Sequence, residues 1–318
     1  MTETRSALRL LTLVLMAAAV LAGCGPHQPK TTLTRAQLLE RYNTNAAAVP
    51  RLWARAKIAL TLTDKDGRRL SWGSTSPVVS PNGLLLMAKG DMPLGPHDFV
   101  LIGRAPAATE LFRLGNSSRD GIYYLWYSLG DHSGAMWGHD ELAGAPGVDM
   151  PIDPMAVLGV LTVTDLPTNP TDLPTIVLTL NTKPYEYVLT YVDRRPVTGE
   201  ILFHREIHCT WSDSKPPRPF LVNLFDAEGH KVMAASLGNY KAIDVPDSSG
   251  GAGPVMPTDI QITWPAKNSR LHMVLSEMTT AEKWDRSQAL FTPNMPRSIP
   301  LDEVVQVDKA LGSGGAAE

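Results

Sequence analysis

The sequence predicts a mainly β fold: a curled antiparallel half-open barrel of about eleven strands covered by short helices. Three observations predict it. Apolar and polar residues alternate along many short runs, the period of a half-buried strand. The 26 prolines and 25 glycines are spread along 318 residues, which suits strands joined by turns better than long helices. Hydrophobic residues make up 43% and charged residues 19%, so a sizeable core can be buried. Each alternating strand has one apolar and one polar face, and a long sheet of such strands curls to enclose the apolar one.

The balance of charge and cysteine excludes several classes. A net charge of −3 gives no overall basic surface for gripping nucleic acid. Two cysteines, Cys24 and Cys209, rule out a disulfide scaffold or a cysteine-rich zinc site.

The elements follow in order. Arg5 and Arg9 precede an uncharged run over 10–22. That run is too short to span a bilayer, for which roughly 20 apolar residues are needed, and has the length of a signal-peptide core. Leu21-Ala22-Gly23-Cys24 closes it and resembles the bacterial lipobox. By that resemblance 1–23 is removed and Cys24 carries a diacylglycerol and an acyl chain, a lasting membrane anchor. Gly25 stands where an Asp would mark retention in the inner membrane, so the expected location is the outer membrane, facing the periplasm. Residues 24–33 read as a tether.

Thr34 caps a helix with Leu38, Leu39, Tyr42 and Ala46 on one face, ended before Pro50. The period then becomes two. Ile58, Leu60 and Leu62 mark a strand that turns at 64–67 and returns over 69–72 with Trp72. Strands over 84–87 and 99–102 flank a loop at 90–97, and strands over 110–114 and 122–127 flank a turn at 116–121. Asp153 and Pro154 open a shorter helix carrying Met155, Val157, Leu158 and Leu161. Further strands are expected over 176–180, 185–192, 200–211, 220–226, 231–240, 260–264 and 271–277. Residues 247–254 form a loop and 309–318 a disordered tail. No break divides 34–308 into two domains.

Ile58, Leu60, Leu62, Trp72 and Trp264 are the apolar phases of the clearest strands and are expected to face the concave interior. Ten aromatic residues, Trp53, Phe99, Tyr124, Trp126, Trp137, Tyr187, Tyr191 and Trp211 with Trp72 and Trp264, could form either a sheet core or a cavity lining. In the 90–97 loop Met92 and Leu94 sit among Pro93, Gly95 and Pro96. There they could protrude toward a membrane or partner, or tuck against the rim.

Chemistry is sparse. The chain has no P-loop, dinucleotide fingerprint, HExxH or GxSxG. His204, Glu206 and His208 share one strand face and are the best metal candidate. The opposite face carries Ile201, Phe203, Ile207, Cys209 and Trp211, so the His/Glu face reads as the solvated side, and Cys209 as a small buried hydrophobe. No acid, base and nucleophile converge, so no enzyme and no metal or other cofactor is expected.

The layout resembles the LolA/LolB-like lipoprotein-sorting superfamily. The resemblance rests on the lipobox, tether and first helix, then Trp53-Ala-Arg-Ala-Lys-Ile-Ala-Leu and Leu84-Leu-Leu-Met-Ala-Lys-Gly. Gly115-Asn116 with Tyr123-Tyr-Leu-Trp126, and Phe291-Thr-Pro-Asn-Met-Pro, complete it. It implies an eleven-stranded half-barrel that holds acyl chains, a protruding Leu94 that helps move them, and lipid or lipoprotein cargo exchanged with a periplasmic carrier. The stretch 165–172 and the 247–254 loop are extra lengths relative to compact members. A second reading is a filled barrel acting as a non-catalytic envelope module that binds protein or cell wall.

Overall fold

A computed structural model describes residues 29–63, 69–70, 77–89, 97–106, 109–129, 132–143, 148, 150–194, 201–246, 253–281, 291–300 and 303–312. Helix α1 (Arg35–Ala47) begins as its sequence requires. The Thr34 hydroxyl accepts the Gln37 N–H at 3.3 Å, and the Gln37 side chain accepts the Thr34 N–H at 3.0 Å. Its buried residues are the four expected ones, Leu38, Leu39, Tyr42 and Ala46.

Six strands follow: β1 (Arg51–Thr61), β2 (Val78–Lys89), β3 (His97–Arg104), β4 (Glu110–Ser117), β5 (Ile122–Leu129) and β6 (His132–His139). Helix α2 (Pro154–Val160) intervenes, its first N–H groups capped by the Asp153 carboxylate. The second series is β7 (Thr175–Thr182), β8 (Tyr185–Arg194), β9 (Ile201–Thr210), β10 (Pro219–Phe225) and β11 (Lys231–Gly238). It continues through β12 (Lys241–Ala242), β13 (Val255–Met256), β14 (Asp259–Trp264) and β15 (Ser269–Thr279). The chain ends with β16 (Val304–Gln306) and α3 (Lys309–Gly312). No helix among the described residues is long and apolar enough to cross a membrane.

The strands form one open sheet of 14, in the order β16-β6-β5-β4-β3-β2-β1-β15-β14-β11-β10-β9-β8-β7, with β12 and β13 pairing apart. Pairing is antiparallel except between β16 and β6. Two series of neighbouring strands are therefore joined where β1 meets β15, with Ile58 opposite Met273 and Leu60 opposite Leu271.

The sheet has to be strongly curled. Helix α2 contacts β4 and β5, and it also shares a small cavity with Arg205 of β9 and with Val222 and Leu224 of β10. Laid flat, strands seven places apart would be roughly 33 Å from each other. A helix of seven residues is only about 10 Å long. Glycines facing aromatic rings mark one flank. Gly103 pairs with Phe112 and Gly138 with Tyr123, and a Cβ at either glycine would overlap the ring.

One apolar cluster fills the concave side, from Leu125 on β5 through Ile58, Leu60 and Leu271 to Ile207 and Leu189, with α1 and α2 packed into it. Part of the convex side of β2–β6 is also covered. Residues 291–300 and 303–308 cross it as a strap. Phe291 packs with Leu86, Val100 and Ile102, while Ile299 packs with Tyr124, Trp126 and Ala135. Three backbone carbonyls of the strap accept hydrogen bonds: Phe291 from Tyr124 at 2.8 Å, Pro293 from Trp126 at 2.6 Å and Thr292 from Arg113 at 3.3 Å. Asp308 closes it by accepting the His139 N–H at 2.6 Å.

The expectations need several corrections. The sheet has 14 strands and two ends, and is not an eleven-stranded barrel. β6 was not expected, because glycine and alanine interrupt its alternation, and β16 is too short to show a period. The return strand at 69–72 is described only as an isolated bridge between Thr63 and Arg69. Trp53, Tyr124, Trp126 and Trp137 pack on the convex side under the strap, away from any concave cavity, because their strand phase is opposite to that of Tyr123 and Leu125. The stretch 309–318 opens with a helical turn. Residues 30–33 of the expected tether are docked on the sheet.

Phe291→Ala removes an anchor that is 5% exposed, and is expected to cost about 3 kcal/mol. Urea unfolding followed by tryptophan fluorescence checks this; an unchanged midpoint would mean that the strap does not hold.

Candidate functional site: a groove beside the first helix

A cavity of about 720 Å³ opens between α1, the segment after β9 and the β13 strand. Helix α1 is held rigidly as its wall. The Asn45 side chain donates to the Val255 carbonyl at 2.9 Å and accepts the Val255 N–H at 2.8 Å. Asn43 makes the same reciprocal pair with Leu166, both bonds at 2.8 Å. Each amide therefore substitutes for a strand neighbour, and the helix is clamped from two sides.

The lining is mostly apolar: Leu38 and Tyr42 from α1, Cys209 from β9, Pro217 and Pro219 from the following segment, and Tyr240 and Val255 opposite. The Pro216-Pro217-Arg218-Pro219 run has fixed φ angles and few N–H groups, so it forms a stiff rim. Tyr240 ties that rim down by donating to the Pro219 carbonyl at 2.6 Å. Burial raises the pKa of both Tyr42 and Tyr240, so both keep their protons. The Tyr42 hydroxyl is buried and has no hydrogen-bond partner, as is the Arg218 Nε.

A second recess of about 300 Å³ adjoins the groove and shares Arg41, Pro216 and Pro217 with it. The chain enters the domain here. Asp213 accepts the Lys30 N–H at 2.8 Å and the Thr31 N–H at 2.9 Å, bonds that hold its carboxyl below the usual range. The Trp211 indole donates to the Thr31 carbonyl at 2.8 Å, and the Leu33 N–H donates to the Tyr187 hydroxyl at 3.0 Å.

The expected site residues are placed as follows. Ile58, Leu60 and Leu62 are at most 1% exposed and Trp264 is 4% exposed, all in the concave cluster. None of them lines the groove. Trp264 borders a separate polar recess with Thr61, Arg270 and His272. Cys24, Trp72, Met92 and Leu94 lie outside the described residues, as does the His204 side chain. β2 ends at Lys89 and β3 begins at His97, on either side of the stretch that contains Met92 and Leu94. His208 is not on a freely solvated face. Its Nδ1 is 3.2 Å from Glu186 and its Nε2 is 3.4 Å from Glu206, with Glu186 and Asn223 buried beside it. Among the described residues no group of three His, Cys, Asp or Glu side chains could hold a metal ion.

The groove itself was missed. It is assembled from residues 38–48, 162, 209–219, 240 and 253–255, and no local period joins these. The one available signal was the proline run at 216–219.

No family model matches the chain, and no curated protein does. Among solved structures it is similar to a DUF1329 family protein from Desulfovibrio piger, at 10% identity and a TM-score of 0.47 over 81% of this chain and 95% of the other. A second is a putative outer membrane lipoprotein-sorting protein domain from Vibrio parahaemolyticus, at 7% identity and a TM-score of 0.44 over 80% and 97%. A third is a LolA superfamily protein from Nitrosomonas europaea, at 12% identity and a TM-score of 0.41 over 82% and 98%.

Burial pushes the Cys209 thiol up to about 12, so almost none of it is thiolate at pH 8. An aromatic disulfide reagent is expected to leave Cys209 unlabelled in the native protein at pH 8 and to label it fully in guanidinium. Rapid native labelling would show a thiol open to solvent through the groove.

Proposed function

We propose that this chain is a lipid-anchored envelope protein that binds an acyl chain, of a lipid or a lipoprotein, in the groove beside α1. The groove carries the reading. Its volume is within the range of about 300–1,000 Å³ common to small-molecule sites, and its walls are apolar with a few polar groups at the rim. Cargo of this kind is bound without chemistry, in keeping with a binding or carrier role.

The docked N-terminal segment supports the same reading. In the proposed mature protein, lipidated Cys24 is six residues from Lys30, a reach of at most about 20 Å. Lys30 and Thr31 are clipped at the recess that adjoins the groove. The anchor would then hold the groove mouth close to the membrane surface, where an acyl chain could pass between bilayer and protein with little exposure to water. Placement in the outer membrane on the periplasmic side, exchange with a periplasmic carrier, and a part for Met92 and Leu94 in transfer belong to this proposal. The dense packing of Ile58, Leu60 and Leu62 favours a second reading, in which the barrel interior is filled and the groove receives a segment of a partner protein.

Thr44 is exposed on α1 and lines the groove. Thr44→Trp fills the groove without disturbing the core. It is expected to weaken binding of a fluorescent fatty acid by about tenfold, or about 1.4 kcal/mol, at unchanged melting temperature. A wild-type protein that binds no such probe would favour the partner-docking reading.

Cys24→Ala is expected to abolish palmitate incorporation and leave the signal uncleaved. Undiminished labelling of that variant would remove the anchor from the account.

A further inference from the structure

The groove has a charged end that an acyl chain alone does not explain. Arg41 and Arg218 both line it, one from α1 and one from the proline rim. Among the described residues neither makes an ion pair. The Arg218 guanidinium is stacked over the Tyr240 ring, 5.3 Å from its centroid, which fixes its orientation but supplies no counter-charge. Its Nε is buried without an acceptor. Tyr42, 9% exposed, adds a buried hydroxyl without a partner on the same lining. Glu40 is the one carboxylate among the lining residues, and it is exposed to solvent.

Unpaired donors beside an apolar wall are costly unless a ligand completes them. Two guanidinium groups and a phenol offer donors only toward an oxyanion, and arginine matches phosphate with two parallel hydrogen bonds. We propose that the ligand is a phosphate-headed lipid, with its acyl chain along Leu38, Cys209 and Val255 and its phosphate held by Arg41, Arg218 and Tyr42. This rests on the acyl-chain reading of the groove and narrows it. The thioether-linked diacylglycerol of a lipoprotein carries no phosphate and would leave these donors unmet.

Phosphatidic acid and diacylglycerol with the same fluorescent acyl chain differ only in the phosphate, and their binding to the mature protein in non-ionic detergent tests the proposal. Phosphatidic acid is expected to bind about tenfold more tightly or better. Arg41→Gln with Arg218→Gln should bring the ratio close to one by weakening phosphatidic acid far more than diacylglycerol. Arg41→Gln alone, at an exposed position, and Tyr42→Phe should each lower the ratio part of the way at unchanged melting temperature. Equal wild-type binding of the two lipids would overturn the headgroup inference and leave the acyl-chain reading standing. Binding of neither would overturn both. Inorganic phosphate, added as a competitor, should leave the preference in place at low millimolar concentration. If it erases the preference and raises the melting temperature as much as the lipid does, the site takes free phosphate and the lipid assignment fails.

Discussion

The need to cover one long apolar sheet face governs this structure. Fourteen strands present a continuous apolar concave side, and water has to be kept from all of it. Curling brings the two flanks together until α2 touches both, but two short helices cannot tile so large an area evenly. α2 and the segment after it, with Leu161, Val163 and Leu166, close the middle tightly. α1 is clamped by Asn43 and Asn45 against Leu166 and Val255, far enough from the proline rim to leave space. The groove is the part of the concave side that the helices do not fill.

The convex side has its own solution. Ordinarily a curled antiparallel sheet leaves that side wet. Here Tyr124, Trp126, Leu86 and Ile102 face outward on β2–β5, and Phe291 and Ile299 of the strap pack over them. Around β3–β5 the sheet is therefore packed on both faces. The groove lies on the other half, among β9, the proline rim and β13.

Much of the fold was legible in the sequence because it is local. Thr34 marked the start of α1, Asp153 and Pro154 that of α2, and alternation located most long strands within a few residues. What depended on distant partners was not legible. The strap-facing aromatics could be read as sheet core or as cavity lining because alternation separates two faces without saying which one has a second cover. β6 was hidden by Gly134, Ala135 and Gly138, whose small size is needed where Tyr127 and Tyr123 lie across them. Ile58, Leu60 and Leu62 lie in the large apolar cluster, yet whether such a residue meets a helix or an open space is decided by where α1 and α2 land. The groove residues come from five separate places in the chain, and Tyr42, read as one residue of a helical stripe, also proves to be groove lining.

The central claim is that the groove beside α1 holds an acyl chain. Native mass spectrometry of the mature protein, released from mild detergent, tests it most directly. The account predicts a population heavier than the lipidated chain by the mass of one further lipid, absent when Thr44→Trp fills the groove. A spectrum with no such population in the wild type, or one whose extra lipid persists unchanged in the filled-groove variant, would contradict it.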